Sequence, residues 1–538
     1  TTCAPSPGAS ASGRCASANV PAAASEFADA AGKPRFDGER GGFRYVARGV
    51  EDRFETFGTH GLRHLALAVR GPGQAILRRV AVVERLAPRP AGAAFECSDP
   101  LLNRIFAVGR RTVDLCSHDA YVDCPTREQR GWTGDFVVHQ MVDFATNPDW
   151  SLARWNVELT ASPRPDGMLP MAAGGDVEYG DSAFIPDWAL HWVRALWNLW
   201  RYTGDRAAIG RLLPVAERVL RWFEPFRDAS GLPTDVTGWV IIDWASVSTR
   251  GQCAALCALW ARGLRDFAEI AEWAGDAGRA AWARGRHAEV SRAFERFWDE
   301  ARGVYVDHIL GGAAQRPASQ HAQAAALAAG LVPEARVARV ADAMMDAERL
   351  VNAVWWAAKG DARRPGPGEE HVGGPYLVLG PPPPWWDVDR QLVRAQPFFR
   401  YVVHDALAAA GREDRIAAAC RDWAELFARS ETSWSETWTA GTVSHGWCST
   451  PTRDLVVRTL GVTPAEPGFG VARIAPRLGD LAWARGTVPT PSGPLTVEAT
   501  PDGISVDSPI PFVVDRGEGR PTHHAPGRVS FKMGSDPF

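Results

Sequence analysis

The amino-acid sequence predicts a mainly α-helical protein in which helical hairpins close into a ring between short β segments. About a dozen segments between residues 95 and 464 place apolar residues at helical spacing. No run typical of a strand separates these segments, which excludes a doubly wound parallel sheet. They share no repeat of fixed length, so the pattern favours a closed toroid over an open solenoid.

The first predicted helix begins at Asp99-Pro100, where an N-cap residue precedes a proline at the first helical position. Apolar residues from Leu101 to Val108 then follow one helical face. The same spacing predicts further helices near 136–147, 151–161, 184–203, 206–227, 252–274, 278–298, 317–330, 335–347, 395–411, 414–429 and 446–460. Residues 95–464 are therefore expected to form one helical domain.

Short β segments are predicted on both sides of this domain. Residues 43–94 are expected to form a partial β-sandwich, and residues 465–515 a small C-terminal β module. The predicted strands lie near 43–48, 64–70, 76–84, 471–474, 482–484, 495–499 and 503–506. Residues 1–42, rich in Ala, Ser, Gly and Pro, predict a disordered arm, and residues 516–538 a loop-like tail.

Composition narrows the classes of function. The 59 basic and 63 acidic side chains give a net charge of −4, which offers no strong field for nucleic acid or an anionic membrane. No run of about 18 apolar residues predicts a membrane span. The chain has 23 Trp and only 7 Tyr. Indoles are common stacking surfaces for sugar rings, so this excess favours a carbohydrate partner.

The nine cysteines do not predict a disulfide framework, because their number is odd and the chain is long. Cys253 and Cys257 stand four residues apart in an Ala/Leu-rich segment, which favours buried thiols over a metal site. The sequence lacks Cys-x-x-Cys and His-Glu-x-x-His, so we expect neither a metal nor another cofactor. Free cysteines favour the cytoplasm and the Ala/Ser/Pro-rich start favours export, so localisation stays open.

Polar and aromatic residues concentrate in the loop 123–135, which reads Asp-Cys-Pro-Thr-Arg-Glu-Gln-Arg-Gly-Trp-Thr-Gly-Asp. Three carboxylates, two guanidiniums and an indole are too dense for a structural turn alone. Two structural alternatives remain, in which Asp135 caps the next helix and Asp123 pairs with Arg127 or Arg130.

Three further groups combine a carboxylate with tryptophan. Glu436 lies between Trp434 and Trp438, shortly before His445. The other two are the dipeptides Asp243-Trp244 and Asp187-Trp188. For Glu436 the structural alternative is a buried carboxylate held by an arginine, and for the other two it is aromatic packing with a helix cap. Two separated carboxylates in an aromatic pocket, without a nucleotide loop, predict acid/base hydrolysis of a glycosidic bond.

The 123–135 loop resembles the acid-bearing loop of the bacterial α-L-rhamnosidases, glycoside hydrolase family 78. Other segments agree with that family in the same order along the chain, over about residues 43–510. They are Phe95–Asn103, Ile242–Trp244, Glu436 with Trp438, His445, and the Gly468-Phe469 to Arg473–Pro476 exit from the helical domain.

The resemblance implies an (α/α)6 barrel and inverting hydrolysis of terminal α-L-rhamnose without a cofactor. Counting from Asp123 places Gln129 at the acid position, whereas counting back from Asp135 places Glu128 there. We expect Glu128 to be the general acid, because a gap is easily absorbed on either side of it, and Glu436 to be the base. Expected substrate contacts are Asp123, Arg127, Trp132, Asp135, Asp187, Trp188, Asp243, Trp244, Trp438 and His445.

Alternative functions remain open. The chain could be an (α/α)6-barrel glycosidase with a different sugar specificity. It could also be a catalytically dead rhamnose-binding homologue, an idea to which Gln129 lends support. A carbohydrate is the expected partner, with no nucleic acid and no membrane. No sequence pattern predicts the aglycone, the glycosidic linkage or the oligomeric state.

Overall fold

A computed structural model describes residues 19–25, 42–48, 50–71, 75–173, 184–353, 385–517 and 520–532. The chain divides into two compact units. Unit 1 comprises residues 1–86 together with Cys124–Gln129, and unit 2 comprises 87–123 and 130–538. A short piece of the predicted site loop, 124–129, therefore belongs to the smaller unit.

Unit 1 contains one antiparallel sheet with the strand order β2-β1-β3. Its strands are β1 (Asn19–Ser25), β2 (Gly42–Val46) and β3 (His64–Leu67). The prediction of disorder for 1–42 is wrong at β1, since strands on both sides supply backbone hydrogen bonds that composition does not reveal. The rest of that arm, 1–18 and 26–41, lies outside the described residues.

The β-like run at 76–84 is not a strand. Several of its apolar side chains are exposed, including Ile76 at 74% and Val83 at 78%. A strand needs a neighbouring edge to pair with, and within the described residues no strand pairs with this run.

Unit 2 contains twelve α-helices in its described residues. They are α1 (Pro100–Leu115), α2 (Phe136–Thr146), α3 (Ser151–Leu159), α4 (Pro186–Thr203), α5 (Arg206–Trp222), α6 (Ala254–Trp273), α7 (Ala277–Phe294), α8 (Gln320–Ala329), α9 (Glu334–Met345), α10 (Arg400–Ala409), α11 (Ile416–Cys420) and α12 (Thr450–Asp454). Each lies in a segment for which helical spacing predicts a helix. The predicted cap is also confirmed, because Asp99 accepts hydrogen bonds from the backbone N–H groups of Leu101 and Leu102.

Burial separates the helices into an inner and an outer set. Every residue of α2 and of α8 is buried, and most residues of α4, α6 and α10 are too. In contrast, α7 and α9 each bury only four residues. An amphipathic helix faces solvent on one side, whereas a helix that is buried all round must lie inside the domain.

The inner helices follow one another in space. Helix α4 contacts α2 and α6, α8 contacts α6 and α10, and α12 contacts α10 and α2. Each of α3, α5, α7 and α9 packs beside the inner helix that precedes it in the chain. Unit 2 is thus a helical domain of consecutive hairpins, with β segments added at its ends.

One buried carboxylate joins four of these elements. Asp405 on α10 forms ion pairs with Arg262 of α6, with Arg453 of α12 at 2.9 Å and with Arg458 at 2.8 Å. Arg194 of α4 lies 3.8 Å away. Arg458 belongs to a π-helical turn, Leu455–Thr459, that directly follows α12. The surrounding arginines hold the pKa of Asp405 well below its ordinary value, although burial alone would raise it.

The β segments of unit 2 are β4 (Ala94–Cys97), β5 (Gln252–Cys253), β6 (Trp298–Asp299), β7 (Val304–Tyr305), β8 (His308–Leu310), β9 (Ala313–Ala314), β10 (Leu350–Val351), β11 (Leu392–Val393), β12 (Val462–Pro464), β13 (Ala472–Ile474), β14 (Ala484–Thr490), β15 (Gly493–Thr500), β16 (Gly503–Ser508), β17 (Phe512–Val514), β18 (Thr522–His524) and β19 (Gly527–Lys532). Those after α12 build two sheets, ordered β12-β13-β17-β18 and β19-β16-β15-β14-β4.

Two features of these sheets differ from the sequence prediction. The predicted tail, 516–538, contributes β18 and β19, because each finds a neighbouring strand in a sheet. The predicted domain border at 94/95 cuts through β4, which pairs with β14 nearly 400 residues later in the chain. Local pattern cannot reveal a partner at that separation.

No described helix is both long and apolar enough to cross a lipid bilayer. All seven described cysteines, Cys253 and Cys257 among them, are buried as free thiols.

We expect Asp405→Asn to lose about 3–5 kcal/mol of stability, because it leaves several buried guanidiniums without their shared carboxylate. Urea unfolding followed by circular dichroism measures the loss. The matched control is Asp342→Asn, since Asp342 is 54% exposed and also pairs with two arginines, Arg412 and Arg415. It should cost less than about 1 kcal/mol. Equal losses in both variants would contradict the assigned importance of Asp405.

Candidate active site

His445 lies between Asp123 and Asp135, which are the first and last residues of the predicted site loop, 123–135. Its Nε2 atom is 3.9 Å from an oxygen of Asp123 and 3.9 Å from an oxygen of Asp135. All three side chains are buried. The loop closes at its base, because Asp123 accepts a 2.8 Å hydrogen bond from the backbone N–H of Arg130. Buried carboxylates beside an imidazole make a polar cluster that can hold sugar hydroxyls.

Asp135 stands at the N-terminus of α2 but does not cap it with its side chain. Its Oδ1 instead accepts a 2.8 Å hydrogen bond from the indole N–H of Trp188, at the start of α4. Gly134 permits this contact, because a Cβ atom there would overlap the Trp188 ring. The interpretation of Asp135 as a simple helix cap is therefore wrong.

Glu436 is buried, and separate donors hold its two carboxylate oxygens. The indole N–H of Trp244 donates to Oε1 at 3.1 Å, and the backbone N–H of Thr442 donates to Oε2 at 3.1 Å. The Glu436 carbonyl accepts from the indole of Trp447 at 3.0 Å. The Trp447 ring in turn packs on His445, with centroids 4.1 Å apart. Trp447 thus connects the predicted base to the Asp123–His445–Asp135 cluster.

Gly441 makes the tight turn around Glu436 possible. Its φ of +81° lies in the left-handed region, and an added Cβ would overlap the Glu436 carboxylate and Cβ. The turn also pairs Glu436 with Thr442 through a backbone hydrogen bond of 2.9 Å. The position of the predicted base therefore depends on a glycine five residues away.

Asp187 holds the turn that precedes Trp244. It is fully buried and accepts hydrogen bonds from the backbone N–H groups of Ile241 at 3.3 Å and Ile242 at 2.8 Å. Ile242 has a φ of +53°, a strained conformation for a β-branched residue. Burial raises the pKa of Asp187 to about 7. Its contacts are those of a group that fixes backbone, behind the surface that a substrate would meet.

Asp243 is enclosed in the same way. Its Oδ2 accepts from Nε2 of His321 at 2.8 Å and from the backbone N–H of Gln396 at 2.7 Å. Its Oδ1 accepts from the backbone N–H of Trp244 at 2.8 Å. Because these donors use both oxygens of a side chain without exposed surface, Asp243 orients Trp244 and, through that indole, Glu436.

The tryptophans of the predicted site fall into two kinds. Trp188 and Trp438 are buried, and their indole N–H groups bond to Asp135 and to the Ala395 carbonyl. Trp132 and Trp244 are only partly buried. The second kind retains surface on which a sugar ring can stack.

The predicted general acid, Glu128, lies in the part of the site loop that belongs to unit 1. Glu128 is one-third exposed and forms a 2.9 Å ion pair with Arg127, which is 43% exposed. Gln129 donates through its side-chain amide to the carbonyls of Thr59 and Pro125, both at 2.7 Å, from a backbone with φ of +53°. Its side chain is thus occupied in fixing the loop.

Sequence reasoning missed His321, Gln396, Thr442 and Gly441. His321 and Gln396 lie 78 and 153 residues from Asp243, so no local pattern joins them. Gly441, which follows shortly after a glutamate that lies between two tryptophans, could have been used to predict a tight turn. The described residues contain no group of three or more His, Cys, Asp or Glu able to hold a metal ion.

The matches to a family model and to curated proteins all carry the same name, alpha-L-rhamnosidase. Residues 90–354 match the model of the bacterial alpha-L-rhamnosidase 6 hairpin glycosidase domain. A curated alpha-L-rhamnosidase of Formosa agariphila is 23% identical over 235 residues, 40% of this chain and 24% of that protein. An alpha-L-rhamnosidase of Alteromonas sp. is 41% identical over 69 residues, 12% of this chain and 8% of that protein. The chain therefore covers at most about a quarter of either relative.

Solved structures agree in fold. The rhamnosidase of Bacillus sp. GL1 superposes with a TM-score of 0.74 at 23% identity, over 91% of this chain and 48% of that one. The alpha-L-rhamnosidase of Streptomyces avermitilis, solved with L-rhamnose, gives a TM-score of 0.69 at 18% identity, over 96% and 50% of the two chains. At these identities the likeness establishes the fold alone.

We expect Gly441→Ala to reduce kcat/KM on an aryl rhamnoside by about 10²-fold, since displacing a reacting group by about 1 Å has that effect. The control is Gly275→Ala, because Gly275 has a similar φ of +86° and open space around it. Backbone strain should lower the melting temperature of both variants, while only Gly441→Ala, whose added Cβ also displaces Glu436, should lose activity. If the two variants kept equal activity, the turn would not position Glu436.

Proposed function

Residues 90–354 belong to the bacterial alpha-L-rhamnosidase six-hairpin glycosidase family, and from this premise we propose that the protein hydrolyses terminal α-L-rhamnosides with inversion of configuration. The observation that carries the proposal is Glu436, a buried carboxylate oriented by Trp244 and Thr442 beside the Asp123–His445–Asp135 cluster. The partner is a carbohydrate.

We further propose that the helical domain is a closed (α/α)6 barrel. The contacts of α2, α4, α6, α8, α10 and α12 support this architecture, because each contacts the next and α12 contacts α2. Their deeper burial relative to α7 and α9 agrees with an inner ring. The loop before α2 supplies Asp135, the first turn of α4 supplies Asp187, and the segment before α12 supplies the Glu436 turn, so these groups gather where several inner helices begin.

In the proposed mechanism Glu436 is the general base. Its Oε1 and Oε2 accept hydrogen bonds from Trp244 and Thr442, and a carboxylate oxygen has a second lone pair that can accept from a water molecule. That water attacks the anomeric carbon and gives its proton to Glu436, while the general acid protonates the departing glycosidic oxygen. The acid is assigned to Glu128 from the sequence, because its carboxyl group can donate an acidic proton, whereas the side-chain amide of Gln129 cannot.

Substrate contacts are proposed for the Asp123–His445–Asp135 cluster and for two partly buried tryptophans. Asp123, Asp135 and His445 would bind sugar hydroxyls, and Trp132 and Trp244 would stack on the ring. Arg127 is exposed in the loop and would contact the ring or the aglycone. We assign Asp187, Asp243, Trp188 and Trp438 to the support of these groups, because their polar atoms are already bonded within the protein.

The test of this function is a panel of nitrophenyl glycosides. Release of nitrophenol from the α-L-rhamnoside should exceed release from the glucoside, galactoside and arabinoside. High activity on another sugar would establish the alternative of different specificity. Folded protein that binds L-rhamnose in calorimetry but hydrolyses none of the panel would be a dead homologue.

Inversion is tested by proton NMR of the first product formed from the α-linked substrate. We expect the β anomer of free L-rhamnose to appear first and the α anomer to grow later by mutarotation. The physical reason is direct attack of water from the face opposite the leaving group. Early appearance of the α anomer would require a covalent intermediate and would overturn the role of Glu436 as base.

Variants separate the two carboxylates. Glu128→Gln should lose about 10²–10⁴-fold in kcat/KM on a rhamnosyl disaccharide, but far less on dinitrophenyl rhamnoside, whose leaving group needs no proton. Glu436→Gln should lose activity on both substrates, because water still needs a base. Gln129→Ala is the matched control for Glu128→Gln and should cost only a modest factor. Full disaccharide activity in Glu128→Gln would place the acid elsewhere, with Asp135 the next residue to test.

A further inference from the structure

Unit 2 contains a cavity of about 390 Å³ that is separate from the candidate active site. It is lined by the C-terminal half of α4, by the end of α12 with the π-helical turn, and by β12 and β13. Its lining residues on α4 run from Arg194 to Tyr202, and the first of them comes six residues after Trp188 of the active-site cluster. At 1.5 Å per residue the lining begins about 9 Å along the helix from Trp188 and extends away from it.

Arginine dominates the lining of this cavity. One face of α4 contributes Arg194, Trp197, Asn198, Arg201 and Tyr202, at helical spacing. The other arginines of the lining are Arg453, Arg458 and Arg473, and the acidic residue is Glu413. We call this feature the arginine cavity. Five guanidiniums around one space are costly to place together unless anions balance them.

Protein carboxylates balance these arginines incompletely. Asp405, Asp266, Asp454 and Asp515 form ion pairs with the lining arginines, and Glu269 and Glu413 lie nearby. However, Arg262, Arg265 and Arg477, which do not line the cavity, share the same carboxylates. Eight guanidiniums therefore share six carboxylates, and the cluster keeps a net positive charge.

Two further observations also indicate that the arginines of this cavity have too few anionic partners. Among the described residues, Nε of Arg194 and Nε of Arg458 are buried without a hydrogen-bond partner. Arg201 donates to the carbonyls of Pro464 and Ala465 and forms no ion pair in the described structure. Burial and the neighbouring Arg262 lower the pKa of Arg194 to about 10, although Asp266 and Asp405 oppose this. Arg201 thus donates to two neutral carbonyl oxygens instead of a carboxylate.

The backbone beside the cavity is also unusual. Arg458 lies in the π-helical turn Leu455–Thr459, a conformation that is frequent at functional sites. This turn brings Arg458 next to Arg453 and Asp405, across from α4. Guanidinium groups present planar pairs of N–H donors that match the oxygens of an oxyanion.

We propose that the arginine cavity binds a small oxyanion of the phosphate or sulfate type, which bridges α4, the π-helical turn and β13. The anion accepts hydrogen bonds from Arg201 and from the guanidiniums opposite it. Chloride lacks several acceptor oxygens and binds more weakly. The bound anion stabilises the helical domain by linkage, because only the folded chain gathers these arginines.

The binding is measured by isothermal titration calorimetry with low-millimolar phosphate, sulfate, acetate or chloride at constant ionic strength. Low concentrations matter, since kosmotropic anions stabilise any protein when abundant. Phosphate or sulfate should bind at one site and raise the melting temperature by about 1–3 °C. The acetate titration distinguishes an inorganic anion from the carboxylate of a small acid. Equal effects of chloride and phosphate would overturn the proposal.

Three variants locate the site. Arg201→Gln removes a guanidinium without leaving a carboxylate unpaired and should weaken phosphate binding at least about ten-fold. Glu413→Gln removes the acidic group of the lining and should tighten binding several-fold. Arg292→Gln is the control. It removes one positive charge from an exposed position near the end of α7 that does not line the cavity, so phosphate affinity should stay unchanged. If Arg201→Gln does not fold, Glu413→Gln decides, and unchanged affinity in that variant would overturn the proposal.

Discussion

The carboxylate of Asp405 accepts ion pairs from α6, α12 and the π-helical turn, with Arg194 of α4 close by. A buried carboxylate of this kind is stable only while its cationic partners stay in place. The inner helices must therefore keep their mutual positions for the interior to remain electrostatically balanced. Helix α4 links this balance to both sites, because its first turn contacts the active-site cluster and its C-terminal half lines the arginine cavity.

The candidate active site depends on buried carboxylates that bind backbone. Asp187 holds a strained turn through two N–H groups, and Asp243 fixes the next residues through His321 and Gln396. These contacts aim the indole of Trp244 at Glu436. The strain at Ile242 is tolerated because the surrounding hydrogen bonds determine the turn more strongly than local backbone preference does. Such a support holds the buried carboxylate of Glu436 in a fixed orientation.

Tryptophan serves the structure in a way that composition alone does not show. Among the described residues, indole N–H groups donate to carboxylates in the pairs Trp188–Asp135, Trp197–Glu269, Trp222–Asp166, Trp244–Glu436 and Trp298–Glu300. An indole combines a large apolar surface with one directed donor, so it packs and orients an acid at the same time. Sugar stacking, which the excess of tryptophan predicts, is proposed for the partly buried rings of Trp132 and Trp244.

Local signals in the sequence were enough to predict the twelve described helices, the cap at Asp99 and the loops that carry the candidate site, because helical periodicity, capping and clustered polar residues each involve only neighbouring residues. Which side chains meet depends on the tertiary structure. Trp188 reaches Asp135, His321 reaches Asp243, and β4 joins β14 across most of the chain. The tertiary structure also showed that Asp187, Asp243, Trp188 and Trp438 form hydrogen bonds within the protein through their polar atoms. Periodicity fixes which face of an element is apolar, but the partner of a buried polar atom depends on chain packing over long separations, which no local pattern encodes.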